Sequence, residues 1–258
     1  MIRAKLNRSA KIVATLGPAS DSVETISDLI LAGLNVARLN MSHGTYKGHA
    51  QLIANIREAS QLVGLEVAIL MDLQGPKIRV DEFEKDIRLK KGEKWLIGPG
   101  KVKKEYPEDV NRFIPAEYKN LVNDCDEGDR ILFDDGLIRT EVIERNRNIL
   151  KIKVLSGGIL KSKKGMNLPD SRVSASSFTK KDREDLLFGI DNGVDYIALS
   201  FVRKKGDVII LKNMLRELDK DIPIVSKIEN PEAIENIDEI VEVSDVIMVA
   251  RGDMGVHA

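Results

Sequence analysis

Short apolar runs alternate with amphipathic helical stretches along this chain, and the alternation breaks off once before it resumes. Residues 11–16 form an apolar run closed by Gly17-Pro18. Across residues 21–34, Ile26, Leu29, Ile30 and Leu34 recur at helical spacing, with Gly33 near the end. A second strand follows at 35–40, a second helix at 45–63 and a third strand at 66–73. Connections this short join parallel strands through helical crossovers, so the opening of the chain predicts a parallel α/β sheet.

The middle is patterned differently. From residue 78 to about 160 the period is two, interrupted by turn signals at 91–93, 126–129 and 146–148. Runs such as 131–133 and 142–143 predict antiparallel strands. This is the signature of a small β domain inserted between a strand and its helix, and residues 165–177 lead back out of it. Alternation then resumes with a helix at 180–192, a strand at 196–201, a helix at 207–218 and a strand at 222–228. Asn230 is suited to cap the next helix, with Pro231 at its first position and Glu232 in its positive first turn. A last strand spans 245–250, which makes six parallel strands in all. The expected domains are 1–77 and 164–258 for the α/β part and 78–163 for the insertion.

Composition removes several function classes. A net charge of −1, with Lys and Arg spread along the chain and only 4% aromatics, argues against a nucleic-acid partner. No apolar run approaches the ~18 residues that a membrane span needs, and residues 1–6 lack an apolar signal core. Cys125 is the only cysteine, so no disulfide framework is possible and a cytoplasmic location is expected. Its polar surroundings make it read as an incidental thiol.

In parallel α/β barrels the chemistry sits at the C-terminal ends of the strands. Here strand two delivers Arg38, Asn40, Ser42 and His43, and strand three delivers Asp72 and then Lys77 and Arg79. Strand four delivers Ser200 and Arg203, strand five Lys227 and Glu229, and strand six Arg251 and Asp253. Any one of these is more often a solvated loop residue, but five strand ends in succession point to a shared site. Glu229 and Asp253 are hard oxygen ligands of the kind that hold Mg²⁺ or Mn²⁺ while leaving room for water and phosphate. Lys227, two residues before Glu229, would face the same side of an extended segment and could neutralise charge developing on a phosphoryl group. A plain structural Lys–Glu pair is the alternative. Gly252 permits close backbone approach to a ligand. His43, His49 and His257 lack metal-ligand spacing, and Asp134-Asp135-Gly136 reads as a tight turn.

Segments 11–20, 35–44, 71–79, 164–169, 199–203, 227–230 and 250–255 together resemble the pyruvate kinase family, in family order and across almost the whole chain. They include Asn35-Val36-Ala37-Arg38-Leu39-Asn40-Met41-Ser42-His43-Gly44 and Ala250-Arg251-Gly252-Asp253-Met254-Gly255. The resemblance implies an α/β fold of the TIM (β/α)8 type with an inserted all-β, barrel-like lid, here represented by strands one to six. It implies phosphoryl transfer from phosphoenolpyruvate to ADP, giving pyruvate and ATP in glycolysis.

By the same resemblance, Arg38 and Lys227 are catalytic and bind substrate together with Gly252 and Asp253. Asn40, Met41, Ser42, His43, Arg79 and Lys164 contact the nucleotide. Glu229 and Asp253 hold Mg²⁺ (or Mn²⁺), and Asn40, Ser42, Asp72 and the Leu73 backbone form the monovalent-cation site.

Three departures qualify the match. Lys77 stands where K⁺-dependent members carry Glu, which predicts activity independent of K⁺. Residues 174–178 replace a Pro-containing run at the local hinge. The family continues past residue 258 with two more strands, a threonine implicated in proton delivery and a C-terminal assembly domain. The expectation is therefore a pyruvate kinase sequence truncated at its C-terminus, of severely reduced turnover by itself, for which a homo-oligomer stays open. Two alternatives stand beside it: a catalytically inactive fragment or paralogue that binds nucleotide or a protein partner, and another Mg²⁺-dependent barrel enzyme handling pyruvate-like substrates.

Overall fold

Apolar side chains on the first helices fix the first layer of the fold. The computed structural model describes residues 9–100 and 112–257. Strand β1 (Ile12–Thr15) leads to α1 (Val23–Ala32), whose Ser22 cap accepts from the Thr25 amide and whose Ile26 and Ile30 are buried. Gly33 at φ 113° closes that helix, a conformation that a side chain disfavours, and β2 (Leu34–Asn40) starts at once. Helix α2 (Tyr46–Val63) is capped by Thr45 and buries Leu52, Ile53, Ile56 and Ala59 before β3 (Ala68–Asp72).

The chain then enters the β-rich stretch. Its strands are β4 (Ile87–Leu89), β5 (Lys94–Pro99), β6 (Phe113–Ala116), β7 (Arg130–Phe133), β8 (Ile138–Asn146), β9 (Ile149–Ser156), β10 (Gly158–Leu160) and β11 (Met166–Asn167), with a short helix α3 (Leu121–Asp124) after β6. One sheet has the order β11-β7-β8-β9-β5-β6, and β10 pairs with β4. Among the described residues the pairings are antiparallel as the period-two pattern predicts, with one exception: β5 and β6 run parallel, Leu96 opposite Phe113. Trp95, Ile97, Ile131, Phe133, Val142 and Ile152 are among the residues that fill its core. Cys125 is fully buried in that same core, which corrects its reading as an incidental loop thiol. Polar neighbours at 123, 124, 126 and 127 conceal a C-capping position that faces inward.

After the insertion come α4 (Lys180–Asp191), β12 (Tyr196–Leu199), α5 (Lys205–Glu217), β13 (Ile224–Ile228), α6 (Pro231–Glu235), α7 (Ile237–Val243), β14 (Val246–Val249) and α8 (Arg251–His257). The strands β1-β2-β3-β12-β13-β14 form one sheet in that order, every pair parallel. The α/β class and the six parallel strands are as expected. All five residues of β13 and four of the five in β3 are buried, as strands covered on both faces require.

Strand four stops at Leu199, not 201, because Phe201 turns to φ 55°. The helix capped by Asn230 is two helices that break at Asn236, whose side-chain Nδ2 donates to the Arg203 carbonyl at 2.9 Å. Arg251 and Gly252, placed just past the last strand by the sequence pattern, open a helix.

By internal packing the chain divides into two units: Met1–Gly75 with Ser177–Ile228 and Asn236–Val249, and Pro76–Ser176 with Glu229–Glu235 and Ala250–Ala258.

Candidate active site

Parallel strands end on the same side, so their last residues gather without any further design. In the first unit Asp72, the last residue of β3, lies opposite Asn40 on β2 and Ala198 on β12. Its carboxylate is 1% exposed, and two cations converge on it. Arg38 Nε donates to Asp72 Oδ2 at 2.7 Å, and Arg38 Nη2 pairs with the same oxygen. Lys227 Nζ, from β13, stands 3.2 Å from Asp72 Oδ1. A carboxylate buried this deeply is tolerated because charged donors surround it.

Two hydroxyls complete the group. Lys227 Nζ donates to Ser200 Oγ at 2.8 Å, and that hydroxyl lies 2.7 Å from the Leu73 carbonyl and 3.2 Å from Asp72 Oδ1. Arg38 Nη1 donates to Thr15 Oγ1 at 2.6 Å. Sequence reasoning missed Thr15, although it is the last residue of β1 and the strand-end rule applied to the first strand would have found it.

Backbone amides hold the segment that carries Asn40 and Ser42, two residues of the expected monovalent-cation site. The Ser42 amide donates to Asn40 Oδ1 at 3.0 Å, the His43 amide to the Asn40 carbonyl, and the Met41 amide to the Asp72 carbonyl at 3.0 Å. His49 Nε2 lies 2.8 Å from the His43 carbonyl. Just past β3, Gly75 adopts φ 68°, and a Cβ there would stand 2.8 Å from the Phe201 ring. Its amide donates to Asp182 Oδ1 at 2.9 Å, and Asp182 is itself fully buried as part of the capping box of α4.

The remaining predicted residues belong to the second unit: Lys77, Arg79, Lys164, Glu229, Gly252 and Asp253. Arg79 pairs across an isolated bridge with Gly165, and the Val80 amide donates to the Lys164 carbonyl at 3.0 Å. Lys164 Nζ lies 2.7 Å from Asp134 Oδ1, and that hydrogen bond, followed by the charge of Asp134, holds the ammonium above its ordinary pKa. Arg79 Nε is buried with no hydrogen-bond partner among the described residues. Asp134 and Asp135 take φ 52° and 55°, the tight turn that the sequence indicated. Glu229 is 1% exposed just past β13, and Asn230 Oδ1 accepts from the Ala233 amide at 2.9 Å. Gly252 is exposed on α8, and the Asp253 side chain lies outside the described residues. Among the described residues there is no cluster of three or more His, Cys, Asp or Glu side chains fit to hold a metal. No described helix is long and apolar enough to cross a membrane.

Comparison with known proteins places the chain in a family. The chain matches the family model described as pyruvate kinase, barrel domain, over residues 7–258. The pyruvate kinase of Geobacillus stearothermophilus is 47% identical over 256 residues, which cover 98% of this chain and 43% of that protein. That of Bacillus licheniformis is 45% identical over 254 residues, 97% of this chain and 43% of the relative. That of Staphylococcus aureus strain MRSA252 is 46% identical over 253 residues, 97% and 42% respectively. The chain therefore spans less than half the length of these relatives. With a barrel-domain match that runs from residue 7 to residue 258, the chain belongs to the pyruvate kinase family.

Proposed function

We propose that this chain carries the phosphoryl-transfer machinery of a pyruvate kinase, moving phosphate from phosphoenolpyruvate to ADP to give pyruvate and ATP in the cytoplasm. The observation that carries this reading is the convergence of Arg38 and Lys227 on opposite oxygens of buried Asp72. Two long cations held by one fixed anchor are a preorganised receptor for a phosphoryl group, because little reorganisation is needed when charge builds. Arg38 grips the transferring phosphate, and Lys227 neutralises it in flight. Asn40, Met41, Ser42, His43, Arg79 and Lys164 contact the nucleotide. The buried Arg79 Nε is a donor suited to a phosphate oxygen, and Lys164 would exchange Asp134 for one.

Glu229 and Asp253 are assigned to Mg²⁺ (or Mn²⁺), and Gly252 and Asp253 to substrate. Carboxylates are hard oxygen ligands, which fit a cation that takes most of its coordination shell from water and phosphate oxygens. When bound, such a cation supplies Lewis-acid neutralisation of phosphate charge. Asn40, Ser42, Asp72 and Leu73 are assigned to a monovalent cation, with Lys77 taking over part of its charge so that K⁺ is not required.

The test is steady-state kinetics on the protein. Lys227→Met is expected to lower kcat by about 10²–10³-fold while changing the KM for phosphoenolpyruvate little, as loss of a transition-state contact does. A variant with kcat within threefold of the parent would overturn the reading. Running the same assay with and without K⁺ separates out the Lys77 assignment, which a strong K⁺ requirement would refute.

A further inference from the structure

The loop between β2 and α2 is bolted at both ends to α4, the first helix after the insertion. At one end Lys181 Nζ donates to the Met41 carbonyl at 3.0 Å and to Asp185 Oδ2 at 2.5 Å. At the other, the Tyr46 hydroxyl donates to Asp185 Oδ1 at 2.8 Å, and its ring stacks on Phe188 with centroids 4.9 Å apart. One fully buried carboxylate therefore serves both ends of the segment from Met41 to Tyr46. Helix α4 does not need this pair for its own start, since Thr179 and Asp182 already supply a complete capping box. Burying Asp185 with a lysine partner that is 45% exposed costs desolvation with little return unless the geometry of the loop is what is being held.

We propose that Lys181, Asp185 and Tyr46 are positioning residues that preorganise the segment from Met41 to His43 for nucleotide, and so set the affinity for ADP and not for phosphoenolpyruvate. This rests on the assignment of Asn40, Met41, Ser42 and His43 to the nucleotide. The physical reason is entropic: a loop fixed before binding does not have to be ordered during it. Inside the loop the bonds are short-range, the Ser42 amide to Asn40 and His49 to the His43 carbonyl, and the Met41 amide ties its start to the Asp72 carbonyl on β3 at 3.0 Å. The ties to α4 add side-chain anchors at both ends of the segment.

Saturation with ADP and with phosphoenolpyruvate is measured on the full-length protein carrying Lys181→Met, Lys181→Arg or Tyr46→Phe, with a thermal midpoint for each. Lys181→Met is expected to raise the KM for ADP about tenfold and leave that for phosphoenolpyruvate within twofold, the loss of one charged hydrogen bond being of that size. Lys181→Arg should recover most of the loss, and Tyr46→Phe should fall between them. An ADP KM within twofold of the parent for Lys181→Met overturns the proposal, as does an equal rise in both KM values. Should Lys181→Met fail to fold, the Arg and Phe variants decide by the same ADP-selective criterion. A parent protein that does not saturate with ADP would instead overturn the nucleotide assignment on which the proposal rests.

Discussion

Replacing Asp72 by Asn keeps the shape of the side chain and removes a buried charge on which Arg38 and Lys227 converge. The Lys227 contact at 3.2 Å joins side chains only 9% and 2% exposed, so solvent screens it little. With an effective dielectric near 20 the pair interaction is about 5 kcal/mol. Much of this repays desolvation, and breaking a buried pair from one side leaves a net cost of about 3–5 kcal/mol. For a chain of this size that lowers the melting midpoint by roughly 10 °C.

The assay follows from where the chromophores lie. The longer helices, α1, α2, α4 and α5, belong to the first unit with Asp72, so helical circular dichroism reports on it. Trp95, the only tryptophan, belongs to the second unit, and its fluorescence serves as the internal reference. Asp72→Asn should move the helical transition, and adding Lys227→Met should recover about half of the loss because the buried ammonium that paired with Asp72 goes with it. A helical shift below about 1 kcal/mol in the single variant would refute the argument. It would mean that the two cations are satisfied without this carboxylate.

Two further predictions concern the second unit. Burial pushes the Cys125 thiol up to about 11 from its ordinary value near 9. The folded state then holds the proton where the unfolded chain releases it, so this stabilisation is complete below pH 9 and lost as pH rises through 11. About 2–3 kcal/mol is at stake. Alkaline denaturation followed at Trp95 should show that limb, and Cys125→Ala should flatten it; an unchanged pH slope in the variant would count against the burial argument. At Gly157 a Cβ would stand 2.4 Å from the Leu89 carbonyl oxygen, so Gly157→Ala should destabilise this unit by about 1–3 kcal/mol. Fluorescence-monitored unfolding at the parental midpoint would exclude that.

Much of this was legible from periodicity and strand ends. The strand-end rule reached Arg38, Asp72, Ser200 and Lys227, and the structure brings these four into one hydrogen-bonded group. It did so because parallel register places strand termini together whatever the intervening chain contains. Features set by distant partners escaped it. Nothing near Asn236 announces a helix break, and its side chain bonds a carbonyl 33 residues away, that of Arg203. Tyr46 and Asp185 are 139 residues apart, and neither belongs to a motif. The parallel pairing of β5 with β6 and the burial of Cys125 are likewise tertiary outcomes that local patterns of alternation and polarity do not encode.

Strands β3 and β12 are neighbours in the first sheet, yet Leu70 and its partner Tyr196 stand 126 residues apart in the chain, whereas Val36 and Ala68 across β2 and β3 are separated by 32. Closing the longer loop costs two further doublings of length, about 1.2 kcal/mol. That cost is modest at equilibrium and larger in time, because contacts this remote must be found by search before they repay it. A β-rich insertion with its own core can condense first and replace a long wandering loop by a short folded bridge. The inserted unit thereby becomes a determinant of how fast the parallel sheet around it assembles, quite apart from any part it plays in binding.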